Sequence, residues 1–388
     1  MIFGASLLAL NLGLETSYHK IPEIADPRKD SYVHRVGGDM TLGGDSPYQM
    51  LSSGDCYLID GELMAARPRA ARFDQEKKRF CQLRELYGQS SDLDYKIKIG
   101  KQGIGISQAQ ISSPANPLRA GLIQGGIWGR HEGIPIIWME MTWDVWGNFA
   151  FALASDGKFG NPEPLLFGRL THSMADLSMI LTRKFLGLAV RGPVGDNIIL
   201  YSEANLHGVN DEPTEMTPVY RDLYSDALLG MSISSYVADG GSYTLAIEYL
   251  LNSHGISEKL SSDGLRVISN IAGEKDIRKA YYNFPSSEEE KVSDWPWGDF
   301  LSRNYLFLNL YRNDANLGLN LNYLWNMVDR GGRIQAGYRY KNLSHPFLTP
   351  FIIGIAYIHY HGAELSEYGQ AAQVYGKNHY QISLEYNL

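Results

Sequence analysis

Near its C-terminal end the chain alternates. Tyr380, Ile382, Leu384, Tyr386 and Leu388 are apolar or aromatic, while Gln381, Ser383, Glu385 and Asn387 between them are polar. A period of two predicts a strand with one apolar and one polar face. The pattern recurs upstream, where Leu317, Leu319, Leu321, Tyr323 and Trp325 oppose Asn316, Gly318, Asn320, Asn322 and Asn326. Ile334, Ala336, Tyr338 and Tyr340 oppose Arg333, Gln335, Gly337, Arg339 and Lys341. Leu93, Tyr95, Ile97 and Ile99 oppose Asp94, Lys96 and Lys98, and Tyr243, Leu245, Ile247 and Tyr249 oppose Thr244, Ala246 and Glu248. Turn residues separate the runs, as at Arg312-Asn313-Asp314, Asp329-Arg330-Gly331-Gly332, Asp239-Gly240-Gly241 and Gly192-Pro193-Val194-Gly195, so antiparallel hairpins follow.

A soluble sandwich also alternates, but its apolar face is rich in Val and Ile. Here that face is Leu and Tyr, with aromatic residues near the strand ends, which fits an apolar band between interfacial girdles. The fold class expected is all-β, a transmembrane antiparallel β-barrel of about eighteen strands, within a range of about 14 to 18. The expected spans are 5–17, 32–42, 56–66, 80–87, 93–106, 134–143, 146–154, 164–172, 176–183, 186–192, 196–207, 226–237, 241–252, 300–311, 315–327, 331–342, 348–361 and 374–388. An even count puts both termini on one side. The odd-to-even connections then carry the long segments 107–133, 208–225 and 253–299, and the longest even-to-odd connection is 43–55. Residues 1–388 read as one barrel, with 253–299 as a long extracellular loop. Residues 107–133, which contain Pro114, Pro117 and Gly125-Gly126, are long enough to fold inward as a constriction or plug.

Composition narrows the class. The 388 residues include 25 Tyr and 40 Gly, aromatics reach 12%, and mean hydropathy is −0.24. The longest apolar run, Leu7 to Leu14, is interrupted by Asn11 and Gly13, which excludes a membrane-spanning helix. A net charge of −8 without clustered Lys and Arg argues against nucleic-acid binding. The N-terminal stretch has no Lys or Arg ahead of its apolar residues and reads as a strand rather than a signal peptide. Cys56 and Cys81 lie 25 apart without a CxxC or CxxCH pattern, which excludes a Cys-rich zinc site and covalent haem attachment; whether they pair stays open.

Candidate chemistry is sparse. Thr171-His172-Ser173 and Ser253-His254 juxtapose a hydroxyl and an imidazole only as sequence neighbours, a spacing without mechanical meaning for a hydrolase, and no catalytic residue is assigned. His359 and His361 share one strand face, with Glu364 following, but mark a strand leaving the bilayer more simply than a metal site; no metal and no cofactor are expected. Glu288-Glu289-Glu290 reads as a solvated loop tip. The polar strand face is more informative. Projected inward, it carries Lys96, Lys98, Arg169, Arg303, Arg333, Arg339, Lys341 and Lys377, together with Asp94, Glu140, Glu203, Glu248 and Glu385. Charge facing lipid costs about 2–4 kcal/mol at mid-depth, so one parity of charge means a wet or protein-filled interior. The same residues serve as ion pairs that stiffen the wall or as a selectivity lining, and with both signs present the sequence assigns neither strong anion nor strong cation selectivity. Asn316, Asn320 and Asn322 add neutral groups of the kind sugars use.

Residues Tyr95 to Leu118 resemble the strand-plus-loop of a group of uncharacterised Gram-negative outer-membrane barrels that is similar also to alginate-export-type porins. Gly100-Lys101-Gln102 stands for that group's Gly-Arg-Gln and Asn116-Pro117-Leu118 for its Asn-Pro-Leu, with Arg119 where an Asp is expected and Ile106-Ser107 near the place of a Trp-Gly. Looser echoes are Ile247-Glu248-Tyr249 through His254-Gly255, Arg303 through Leu308, Asn326 through Asp329, and the closing strand. The resemblance implies an outer-membrane barrel with a channel or conduit role and supplies no substrate; with the charged lining, the expectation is a channel, not an enzyme, that passes a small polar solute or an exported polysaccharide. A competing expectation is a sheath that holds a periplasmic or lumenal protein partner, such as a multihaem cytochrome, and a third is an adhesin or receptor that uses loop 253–299. Outer-membrane lipid and the barrel-assembly machinery are the other partners expected. Tyr380, Ile382, Leu384, Tyr386 and Leu388 resemble the C-terminal assembly signal of bacterial barrels, which puts both termini in the periplasm.

Overall fold

The computed structural model describes residues 8–20, 31–43, 46–60, 79–92, 94–102, 109–110, 114–115, 134–143, 147–155, 162–172, 174–182, 185–208, 223–237, 240–253, 302–341, 351–363, 366, 368–369 and 377–387. The strands are β1 (Leu8–Lys20), β2 (Ser31–Leu42), β3 (Tyr48–Asp60), β4 (Arg79–Ser91), β5 (Tyr95–Gln102), β6 (Ile134–Trp143), β7 (Gly147–Ser155), β8 (Pro162–His172), β9 (Ala175–Thr182) and β10 (Phe185–Val194). They continue as β11 (Ile198–Gly208), β12 (Leu223–Tyr224), β13 (Asp226–Tyr236), β14 (Ser242–Asn252), β15 (Asn304–Asn313), β16 (Leu317–Asn326), β17 (Gly332–Tyr340), β18 (Phe351–His361) and β19 (Asn378–Asn387). Segments β12 and β13 flank Ser225 and both pair with β11, so the wall has eighteen staves.

Each stave pairs antiparallel with its neighbours in sequence, and β1 pairs with both β2 and β19. The ring therefore closes, with Leu14 opposite Leu384 on one side and Val36 on the other. Closure matters because an open edge in hydrocarbon would leave a row of backbone N–H and C=O groups without partners. Connections differ between the ends: 43–47, 92–94, 195–197 and 314–316 are short at one end, where 341–350 is the exception, while 103–133, 209–222 and 253–303 join strands at the other, beside the short 183–184 and 327–331. The two ends are called the turn end and the loop end below.

Alternation sorts the two faces. Ile137, Met139 and Met141 on β6, Leu319 and Leu321 on β16, Ile353 and Ile355 on β18, and Tyr380, Ile382 and Leu384 on β19 are exposed on the outer surface. Two inner faces depart from the expected polar lining. Ile136, Trp138, Ala150, Ala152, Leu165, Phe167 and Ile180 form one buried apolar cluster, and Tyr201, Leu228, Leu250, Tyr305, Phe307, Leu324, Ile358 and Tyr360 belong to another. Alternation is blurred where both faces are apolar.

Strand positions follow the sequence reading closely, and both short candidates, 80–87 and 186–192, are staves. The third span is the exception: the strand is Tyr48–Asp60 rather than 56–66, and the long 43–55 connection shrinks to a turn. The neighbouring strand carries a bulge. Register shifts between Ser53 and Gly54, with Arg84 as the extra residue on β4, so Leu83 and Leu86 both face outward although they are three apart. Cys56 and Cys81 are directly paired across β3 and β4 and form a disulfide. Of the expected loop 253–299, all but Ser253 lies outside the described residues, as do Glu288, Glu289 and Glu290.

The turn between β15 and β16 shows how local chemistry sets register. Asp314 Oδ1 accepts the N–H of Asn316 at 2.9 Å and of Leu317 at 2.7 Å, and Arg312 pairs with Oδ2 at 3.0 Å. The Asn316 N–H, then that of Leu317 and the Arg312 guanidinium, hold the Asp314 carboxyl below its ordinary value against the opposing pull of desolvation. A depressed carboxylate contributes stability above its unfolded value and loses it as pH falls through the folded one. The stability deficit of Asp314→Asn is thus expected to be full at neutral pH and to shrink in acid, read from unfolding midpoints across a pH series. A deficit that stays constant through the acid range would contradict this account.

The two faces give a second test. Leu321→Arg on the outer face is expected to cost about 2–4 kcal/mol, and Asn320→Arg one residue away less than about half of that, in equilibrium unfolding from phospholipid vesicles. Equal losses would mean that the faces are assigned wrongly.

Candidate functional site

The interior is the candidate site, and its charges arise from strand parity. On β5 the inward positions are Lys96 and Lys98; on β6 they include Trp138 and Glu140, which pair with Lys98 and Lys96. Trp138 Nε1 donates to Glu140 Oε2 at 3.1 Å and Asn148 Nδ2 donates to Glu140 Oε1. The Lys98 ammonium stands 5.2 Å from the Tyr87 ring centroid, a cation–π contact. Glu140 is thereby tied to its own wall.

Further round, β8, β9 and β10 bring together Arg169, Asp176 and Arg191. Asp176 Oδ2 lies 2.8 Å from Arg169 Nη2 and 2.5 Å from Arg191 Nη2, so two guanidinium groups share one carboxylate. Exposure is lopsided: the Asp176 side chain is 13% exposed, those of Arg169 and Arg191 35% and 34%. This arrangement presents net positive charge to the interior. The bulged Arg84 bonds Asp39 and the fully buried Asp55, each at 2.6 Å, and acts as a clamp across β2, β3 and β4.

Two carboxylates do something else. Glu203 on β11 and Glu248 on β14 are 2% and 0% exposed. Glu203 Oε1 accepts the backbone N–H of Ala109 at 3.1 Å, and Glu248 Oε1 accepts the N–H of Gln110 at 2.7 Å and the Tyr201 hydroxyl at 2.6 Å. Tyr201 reaches Glu248 across β13 because the residue beneath its ring is Gly230, where a Cβ would lie 2.1 Å from the ring. Asn205 Nδ2 donates to the Pro114 carbonyl at 2.9 Å, and Asn309 Nδ2 to Gln110 Oε1 at 2.6 Å. Gly187 leaves room for the Ala115 carbonyl, 2.3 Å from where its Cβ would stand. Residues 109–110 and 114–115, which follow β5, therefore rest on the inner side of β10, β11, β14 and β15.

The sequence-derived lining divides accordingly. Lys96, Lys98, Glu140, Arg169, Asn320, Asn322, Arg333 and Arg339 occupy inward strand positions. Glu203 and Glu248 do so too, but they are covered rather than open. Arg333 is also buried, its guanidinium hydrogen-bonded to Tyr360. Arg303 and Lys377 are exposed beyond the strands at the loop end, and Lys341 bonds Asn313 at the turn end, because the strands are shorter there than the alternation suggested. Glu385 pairs with Gly13 and Ile352 in β19. Tyr380, Ile382 and Leu384 of the closing strand face outward, Tyr386 pairs with Leu12, and Leu388 lies outside the described residues.

Sequence reasoning passed over Asp39, Asp55, Arg84, Asp176 and Arg191. Parity counted from Gly187 and Ala189 reaches Arg191, and from Ile180 and Ser178 it reaches Asp176; Arg84 is hidden by its bulge. The other candidates form no site among the described residues. His172 Nδ1 accepts the Met174 N–H at 3.3 Å as a turn contact, and Ser173, His254 and Glu364 lie outside the described residues. His359 and His361 point outward, in a ring ladder with Tyr357 and Tyr323. No cluster of three or more metal-ligating side chains occurs among the described residues.

No protein-family model matches the chain, and no curated protein does. Solved structures do. OccAB1 of Acinetobacter baumannii is similar over 98% of this chain and 96% of its own, at 11% identity and a TM-score of 0.55. OpdK of Pseudomonas aeruginosa, solved with vanillate, is similar over 98% of both chains at 9% identity and 0.53. OccK2 (OpdF) of the same organism, in complex with glucuronate, covers 98% and 97% at 9% and 0.54. The likeness shows the fold, that of Gram-negative outer-membrane β-barrel porins. The structures named are Occ-type proteins, and the alginate-export-type resemblance has no counterpart among them.

Glu248→Ala would strip both the Gln110 N–H and the Tyr201 hydroxyl of their acceptor. Each buried group so orphaned costs about 1–3 kcal/mol, and the loss is expected as a lower unfolding midpoint of the detergent-folded protein. Tyr201→Phe, which removes one bond and leaves Gln110 paired, should lose less.

Proposed function

We propose that this chain forms a passive outer-membrane channel for small, polar, carboxylate-bearing solutes. The observation that carries the reading is the unequal exposure of the interior charges. Asp55, Glu203 and Glu248 are buried and Asp176 nearly so, whereas Arg169 and Arg191 are about a third exposed, Lys96 and Lys98 are half-buried, and Arg339 is exposed. An anion entering such a lumen meets accessible cations, while most of the carboxylates that would repel it are engaged with the protein itself. Two of the similar channels were solved with vanillate and with glucuronate, both carboxylates, which supports the same class here.

Residues 109–110 and 114–115, held on the inner wall, support an inward course for the segment 107–133 and hence a constriction that limits solute size. The same placement disfavours a sheath around a protein partner and a conduit for polymer, because the chain's own residues occupy wall that either would need. Long connections at one end and tight turns at the other support extracellular loops and periplasmic termini.

Reversal potential in a planar bilayer under a KCl gradient tests the reading. The chloride-to-potassium permeability ratio is expected to exceed unity and to fall toward it in Arg169→Gln/Arg191→Gln. Cation preference would overturn the anionic assignment, and a folded barrel that never conducts would overturn the channel.

A further inference from the structure

The wall from β15 to β18 carries a pattern that anion selection does not use. Tyr311, Asn320, Gly337 and Ala356 are consecutive partners along one register row, and Asn309, Asn322 and Gln335 along the next. Tyr311 has the inward parity of the buried Tyr305 and Phe307, yet it is 39% exposed. Asn320 and Gln335 accept weak bonds through their oxygens, from Asn322 Nδ2 at 3.5 Å and Arg333 Nη2 at 3.4 Å. Their amide nitrogens have no protein partner among the described residues, and both side chains are half-buried. Deeper in, Asn309 Oδ1 and Asn322 Oδ1 are buried acceptors without a hydrogen bond.

Gly337 faces the same place. It is half-buried, and a Cβ there would meet nothing nearer than 3.9 Å, whereas Gly318 beside it is buried under Arg339 and Lys341. Glycine weakens a strand interior and usually marks a close approach of something to the backbone. At Gly337 the wall itself makes no such approach, so the missing side chain leaves a shallow trough between the Tyr311 ring, the amides and Arg339.

We infer that this trough is a hydroxyl-recognising subsite that takes a pyranose ring, stacked against Tyr311 with its hydroxyls on Asn320 and Gln335. A pyranose offers an apolar C–H face to an aromatic ring and a rim of groups that both donate and accept, which amides match on both counts. A flat carboxylate without hydroxyls would use none of these groups. A site built to bond hydroxyls discriminates strongly against a ring that lacks them, because its polar groups are then left unpaired. The inference deepens the channel reading and rests on it for transport, though not for binding.

Saturation-transfer difference NMR on the detergent-folded protein tests binding without conduction. Methyl α-D-glucopyranoside is expected to receive saturation, and tetrahydropyran-2-methanol, a ring of the same size with one hydroxyl, is not. Gly337→Val fills the trough without crowding the wall and should abolish the signal while the barrel stays heat-modifiable. Asn320→Leu/Gln335→Leu should weaken glucoside binding at least about tenfold, as loss of two hydrogen bonds predicts. No transfer to the glucoside, equal transfer to the control ring, or full binding in both variants would overturn the inference. Anion-selective conduction with no glucoside binding defeats the subsite alone; glucoside binding in a barrel that never conducts defeats the channel alone.

Discussion

Every backbone polar group that crosses hydrocarbon must find its partner within the chain, and the pairing of β1 with β19 is where this protein meets that demand. With that ladder in place, none of the eighteen staves has a free edge, and the strands can face lipid on one side and enclosed space on the other. The outward Leu, Ile, Met and Tyr positions then need no protein partner, since lipid covers them. The inward positions are released from the requirement to be apolar, and buried charge becomes tolerable wherever it is paired or wetted.

What the interior does with that freedom differs by region. On β11 and β14, Glu203 and Glu248 are spent on the backbone of residues 109 and 110, a role in which a carboxylate acts as an acceptor for chain amides rather than as a charge for solutes. On β2 to β4, Arg84 is absorbed by two aspartates. On β8 to β10 the ratio is reversed, two arginines to one aspartate, and positive charge is left facing the lumen. The polarity of the interior thus depends less on how many charges point inward than on which of them are consumed by the wall. On β15 to β17 the inward amides Asn320, Asn322 and Gln335 stand beside the exposed Arg339, so neutral and basic groups share that wall.

Alternation made the staves visible. From Tyr380 to Leu384, from Leu317 to Trp325 and from Tyr243 to Tyr249, the period of two placed strand and face together, because a strand with lipid on one side and water on the other must alternate. Long and short connections then ordered the ends. The reading slipped at β3, expected over 56–66, and on β4 the bulge at Arg84 hides from the period that Leu83 and Leu86 share one face. On β6 and β7 it placed the strands, but Trp138, Ala150 and Ala152 line an apolar inner surface, so the two faces offered little contrast to read.

The sequence by itself determined the barrel and the parity of its strand charges and pointed to about eighteen staves, because each follows from local periodicity and from the need to close. Tertiary structure alone decided what those charges do. Glu140, Glu203 and Asp176 look alike along the chain. Only the fold sets Asn148 beside the first, the Ala109 amide beside the second and two arginines around the third, and side-chain partners far apart in sequence leave no periodic trace. The pairing of Cys56 with Cys81 was settled in the same way, by the register of two neighbouring staves.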